Sequence, residues 1–195
     1  MFIVGVCGHA GSGKDTIGAY LCKRYGFQQE SLAAPIKRLV KDIFVLDDKT
    51  VYDRVEREKP LKDWNGWSVR KLLQYIGSEL LRKNIDDKIW VKSLWRRIQK
   101  ASGPSNFVIT DLRIPNERTF LKRHLGDKFI CIRVERLGFD GRTTGGIKGH
   151  MTEAHVIKAE FVIKNDSTYE ALYTKIDEVM TVLGVPAIKR QLRWI

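Results

Sequence analysis

Gly8-His9-Ala10-Gly11-Ser12-Gly13-Lys14-Asp15-Thr16 is the stretch on which the fold turns. It spells G-x-x-x-x-G-K directly after an apolar run, FIVGVC at 2–7, and directly before a segment with helical spacing over 14–25. A buried strand that ends in a glycine turn and runs into a helix is the setting this motif requires. The glycines let backbone N–H groups turn inward around a phosphate, the helix N-terminus adds its dipole, and Lys14 reaches the outer phosphates of a nucleotide. The hydroxyl residue that usually follows the lysine and touches Mg²⁺ is Asp15 here, with Thr16 next. Asp15 acting through water and Thr16 acting through its hydroxyl are both left open as metal ligands.

Outward from this loop the pattern alternates. Residues 33–45 (AAPIKRLVKDIFV) read as a helix with Pro35 in its first turn. Residues 47–66 are charged and without clear period, an exposed excursion or flap. From Ser68, a fair N-cap, Val69, Leu72, Leu73, Ile76, Leu80 and Leu81 recur at helical spacing. A further helix over about 86–101 ends at Gly103-Pro104-Ser105. Strands follow at 106–110, 128–134 and 160–164, with helices at about 115–124 and 168–183 between and after them. Strands alternating with helices predict an α/β domain whose parallel sheet is covered on both faces. The boundaries expected are a core over 1–32, 102–135 and 156–195, a helical insertion over 33–101, and a glycine-rich lid over 136–155.

Composition narrows the function classes. The 195 residues carry 35 Lys+Arg against 23 Asp+Glu, a formal net charge of +12. That surplus asks for an anionic partner: nucleic acid, an acidic membrane surface or small phosphorylated substrates. No stretch approaches the roughly 20 apolar residues of a membrane span, and the opening MFIVGVCGHAG lacks the basic start of a secretion signal. Cys7, Cys22 and Cys131 share no metal-ligand spacing, so reduced thiols in a cytoplasmic protein are expected. No helix interleaves basic and aromatic residues as a nucleic-acid reader would.

Several residues stand where chemistry is expected. The strand at 106–110 ends in Asp111-Leu112-Arg113, and ligands of parallel sheets bind beyond strand carboxyl ends. Asp111 therefore shares an edge with the phosphate loop and is a third candidate for the Mg²⁺ shell, while Arg113 can offer its planar fork to a phosphate. Arg70, Gln74 and Gly77 form one stripe of the helix from 68, distinct from the leucine face. Arg82 closes that helix, where it either complements the dipole or reaches a ligand. Trp90 and Trp95 read first as core, with Trp90 also a candidate stacking platform. Arg136, Arg142 and Lys148 lie in the glycine-rich segment, suited to a lid that excludes water and steadies transferred charge. His150, Glu153 and His155 read as capping and local hydrogen bonding.

Taken together, GHAGSGKDT at 8–16, APIKRLVKDIF at 34–44, RKLLQYIGSELLRKNIDDKIWV at 70–91, TDLRIPNE at 110–117, HMTEAH at 150–155 and FVIKNDSTYEAL at 161–172 resemble the phage-type deoxynucleoside monophosphate kinases, a branch of the P-loop nucleotide kinases. LLQ-x-x-G-x-x-x-x-R and DLR-x-PNE are the most specific pieces, and the GKDT form looks like a family habit. The resemblance implies a P-loop kinase fold and an ATP:deoxynucleoside monophosphate phosphotransferase using ATP and Mg²⁺. By it, Gly8, His9, Ala10, Gly11, Ser12, Gly13, Lys14, Asp15 and Thr16 hold ATP phosphates, and Asn165 approaches the adenine. Lys37, Arg70, Gln74 and Arg82 contact the monophosphate, Arg113 faces its phosphate, and Arg136 and Arg142 belong to the lid. It implies a nucleotide-biosynthesis enzyme of the host cytoplasm if phage-encoded, without membrane or specific nucleic-acid partners; the apolar faces of the helices from 68 and 86 are available to a homodimer. Two rivals are another small-molecule P-loop kinase, acting on a coenzyme precursor, phosphomevalonate or a sugar, and a basic nucleic-acid-binding ATPase.

Overall fold

In the computed structural model, residues 1–103, 105–136 and 157–188 are described. The first strand, β1 (Ile3–Cys7), is buried along its whole length. Its side chains alternate between two cores: Ile3 and Cys7 join one, Val4 and Val6 the other. That division is what a run apolar on both faces dictates, because each face must be covered. α1 (Lys14–Tyr25) and α7 (Tyr169–Val182) cover one side through Ile17, Leu21, Leu172 and Ile176. On the other, α2 (Ala34–Ile43), α4 (Val69–Gln74), α5 (Ile89–Lys100) and α6 (Pro115–Leu125) contribute Val40, Val69, Leu94 and Leu121. Full burial of such side chains stabilises by roughly 1.5–3 kcal/mol each.

The sheet has five parallel strands in the order β2-β3-β1-β4-β5, with β2 at Gln28–Glu30, β3 at Phe107–Ile109, β4 at Phe129–Glu135 and β5 at Phe161–Lys164. From β1 the chain leaves toward β2 on one side; from β3 it crosses to β4 on the other. The connections therefore diverge between β1 and β3, and a crevice opens at their carboxyl ends. The phosphate loop follows β1 there, and Asp111 to Ile114 follow β3.

Three stretches differ from the sequence reading. β2 was not foreseen: Gln28-Gln29-Glu30 has no apolar alternation, being a short edge strand held by its backbone to β3. The 47–66 excursion contains a capped helix, α3 (Asp48–Tyr52), whose first turn is held by the Asp47 side chain accepting from the Thr50 N–H, and then a 3₁₀ turn at Glu56–Glu58. The helix expected from Ser68 is α-helical only to Gln74; Tyr75–Arg82 continues it as a π-helix. Leu80, assigned by α spacing to the buried face, is consequently 47% exposed. The expected lid, with Arg142, Lys148, His150, Glu153 and His155, falls almost wholly outside the described residues. Among the described residues no helix is long and apolar enough to cross a membrane.

Packing of α1 on the sheet leaves no room at Gly18. A Cβ there would sit 2.5 Å from Cγ2 of Thr110, itself buried. In an open helix Gly→Ala stabilises by about 1 kcal/mol; here the collision reverses the sign, because overpacking costs roughly 1–3 kcal/mol. Gly18→Ala is expected to lower the urea midpoint with the m-value unchanged. A raised midpoint would show that α1 lifts off β3 without penalty.

Candidate active site

The phosphate loop owes its shape to three glycines in the left-handed region: Gly8 (φ 140°), Gly11 (φ 77°) and Gly13 (φ 106°). An L side chain at these positions is strained, and a Cβ at Gly8 would stand 2.4 Å from the Val134 carbonyl oxygen. Ser12 is buried, and its Oγ finds no hydrogen-bond partner among the described residues. The Lys14 ammonium donates to the His9 carbonyl at 2.6 Å, curling over the loop. Burial, then the positive charge of Arg113, pull its pKa down to about 8, against the favourable charge of Asp15. Thr16 sits half-buried where the loop enters α1, and Asp15 is exposed and pairs with Arg54 at 2.5 Å.

This loop lines an open cleft of about 1040 Å³. Eight of the described lining residues are Lys or Arg, against five Asp or Glu. The charge builds from several elements. Lys37 extends from α2 over the Tyr52 ring, 5.2 Å from its centre, and burial lowers its pKa. Arg113, exposed, projects from the turn after β3. Arg57 comes from the 3₁₀ turn; burial lowers its pKa, and the charges of Arg70, Arg113 and Arg54 lower it further. Arg70, almost fully buried, pairs with Glu58 at 3.2 Å.

The π-helix decides which residues of the long helix reach this space. From Arg70 and Gln74, α spacing of about 100° per residue would bring positions 77, 78 and 81 to the cleft. The wider turn takes up an extra residue. Arg70, Gln74, Gly77, Ser78 and Arg82 line the cleft, while Leu81 packs into the core. Gly77 lies close to α2: a Cβ would meet the tip of Ile36, Cδ1, at 2.8 Å, and that side chain would have to shift. Trp90 is buried beside it and donates its indole N–H to the Gly77 carbonyl at 3.0 Å, so one edge of the ring is fixed in the wall of the cleft.

Four other candidates also line the cleft, and each makes a contact within the protein. The Asp111 carboxylate accepts three hydrogen bonds, from Ser31 Oγ (2.6 Å), Leu32 N–H (3.0 Å) and Ala33 N–H (2.9 Å), and so ties the entry of α2 to β3. The Asn165 side-chain amide donates to the Ser12 carbonyl at 2.8 Å and braces the phosphate loop. The Arg136 guanidinium donates to the Gly11 carbonyl at 3.3 Å. Arg82 donates to Glu117 at 2.9 Å. Sequence reasoning did not single out Tyr52, Arg54, Arg57 or Glu58, because the 47–66 segment has no period and no motif. Glu117 it passed over as the end of DLR-x-PNE. Its only other signal, an acidic residue three positions into a helix, is also that of an ordinary cap.

Comparison with known proteins follows the same lines. The family model described as deoxynucleotide monophosphate kinase matches residues 48–176. A deoxynucleotide monophosphate kinase of Enterobacteria phage T4 is 32% identical over 157 residues, 75% of this chain and 62% of its own length. A protein of Acanthamoeba polyphaga mimivirus, provisionally given the same name, is 32% identical over 194 residues, 90% of this chain and 94% of its own. An unliganded crystal structure of a sugar kinase from Janibacter sp. HTCC2649 superposes with a TM-score of 0.50 at 13% identity, covering 95% of each chain; that likeness is one of fold.

With its lowered pKa, Lys14 would make any phosphate binding that depends on its charge pH-dependent. With a pKa of about 8, the protonated fraction falls from about nine-tenths at pH 7 to about one-tenth at pH 9. If only the ammonium grips phosphate, ATP affinity drops roughly tenfold over that range. Titration calorimetry should also show proton uptake on binding near pH 8.5, and Lys14→Arg should flatten the profile. A flat profile for the unaltered chain would mean that Lys14 keeps its proton throughout.

Proposed function

The chain belongs to the deoxynucleotide monophosphate kinase family, and from that premise we propose that it transfers the γ-phosphoryl group of ATP to the 5′-phosphate of a deoxynucleoside monophosphate. The observation that carries this reading is one continuous cleft lined both by the phosphate loop and by Arg57, Arg70, Arg82 and Arg113. Two polyanions brought end to end need both. Between the arginines, Ile36, Leu73, Gly77 and the fixed Trp90 offer an apolar floor that suits a nucleobase.

The reaction asks for no strong base, because the acceptor is already an anionic phosphate oxygen. Catalysis is then alignment and charge neutralisation. Backbone N–H groups of Gly11, Gly13 and Lys14 and the Lys14 ammonium hold the donor, the Ser12 N–H being spent on the His9 carbonyl; Arg113 faces the acceptor phosphate, and Arg136 stands beside the loop for the transferred group. Mg²⁺ accompanies the donor in this chemistry, where it neutralises charge across the outer phosphates. Thr16 and Asp15, at the junction of loop and helix, fit a shell made mostly of phosphate oxygens and water. Asp111 fits it less well, since three donors already occupy its two oxygens. The viral origin of the relatives supports action in the cytoplasm of an infected host.

The test is ADP release from Mg·ATP across deoxynucleoside and ribonucleoside monophosphates. Acceleration by deoxynucleotides is expected, and its pattern reads out base preference; acceleration by a sugar or coenzyme precursor instead would reassign the acceptor. Lys14→Ala should lose turnover by about 10²-fold or more with the fold intact. Arg113→Ala should raise KM for the monophosphate and leave KM for ATP unchanged; an equal rise in both would reverse that role.

A further inference from the structure

Glu117 is the most deeply buried carboxylate beside the cleft, only 3% exposed. A buried carboxylate is costly unless surrounded by donors, and here both oxygens are so surrounded. Oε2 accepts from the backbone N–H groups of Arg113 and Ile114, each at 3.0 Å. Oε1 accepts from Arg82 Nη2 at 2.9 Å. Every contact on it is a donor, so the ionised form is the one that fits, although burial pushes its pKa up. The Oε2 bonds alone would cap α6. The Oε1 bond does something a cap does not need: it joins the turn after β3 to the end of the π-helix.

Arg82 shows what that bond is for. The π-winding brings it into the cleft wall, where its side chain is 13% exposed. One of its nitrogens is on Glu117; Nε and Nη1 are buried and have no hydrogen-bond partner among the described residues. Buried guanidinium donors left unmet are costly, and an anion in the adjoining cleft is the group that would relieve them.

We propose that Glu117 is a positioning residue for the acceptor: its carboxylate holds Arg82 and the Arg113 turn together, so that the two arginines converge on the phosphate of the monophosphate. This rests on the reading of the cleft given above. It also separates the two substrates, since the Glu117 hydrogen bonds go to Arg82 and the Arg113 turn and none goes to the phosphate loop.

Glu117→Gln tests it on the full chain. The amide oxygen can keep both backbone N–H bonds, but its NH₂ would face the Arg82 guanidinium, donor against donor, and release it. KM for the monophosphate that the unaltered chain uses best is expected to rise tenfold or more, while KM for ATP stays within twofold. In Arg82→Gln/Glu117→Gln the two amides match again, and its KM for the monophosphate should equal that of Arg82→Gln alone within twofold. The proposal is overturned by an equal loss for both substrates, by no loss, or by losses that multiply in the double variant. If Glu117→Gln does not fold, the comparison of Arg82→Gln with the double variant decides by the same criterion. Should the unaltered chain use no deoxynucleoside monophosphate at all, the functional reading fails and this proposal with it, a result visible before any variant is made.

Discussion

Like charges gathered around one cleft repel one another, and the rest of the site is arranged to contain that repulsion. The energy falls slowly with distance in a partly desolvated space, where an effective dielectric near 20 leaves about 4 kcal/mol between unit charges 4 Å apart. Lys14 and Arg57 record the strain: each has its proton affinity lowered by burial and by neighbouring cations. Containment comes from a few carboxylates, each set against a particular arginine: Asp15 on Arg54, Glu58 on Arg70, Glu117 on Arg82. These pairs leave the cationic faces turned inward while preventing the elements that carry them from drifting apart.

The placement of those pairs divides the site into a part held by backbone and a part held by side chains. The phosphate loop is held by backbone: positive-φ glycines, the Asn165 amide on the Ser12 carbonyl, and a strand buried on both faces. The rest of the cleft wall is held by side chains from α2, the 3₁₀ turn, the π-helix and the turn after β3, joined by Asp111, Glu58 and Glu117. A wall assembled from side-chain pairs can reset when an anion competes for its arginines. A backbone cradle cannot, and the common element of phosphate chemistry is in the cradle.

How much of this was legible in the sequence follows from the kind of force involved. The sheet core and the loop were legible because each rests on local or periodic signals: the apolar runs at 2–7, 106–110 and 128–134, and glycines spaced before a lysine. β2 was not, because an edge strand of Gln28-Gln29-Glu30 is held by backbone pairing that leaves no side-chain pattern. Tyr52, Arg54, Arg57 and Glu58 were not, because a charged segment without period looks the same whether it faces solvent or wraps a ligand; only the tertiary path brings it to the cleft.

Arg82 is the sharper case. The motif resemblance named it, yet helical spacing from Arg70 and Gln74 points a quarter-turn away, toward position 81. The two readings conflict only if the helix is regular, and over Tyr75–Arg82 it is not. A π-helix gives up good hydrogen-bond geometry along its length and is kept mainly where function holds it. Its effect here is to exchange Leu81 for Arg82 at the cleft, burying the leucine in the core and bringing the arginine to Glu117. A local departure from regular winding, invisible to a periodicity argument, thus sets a global property: which charge lines the cleft.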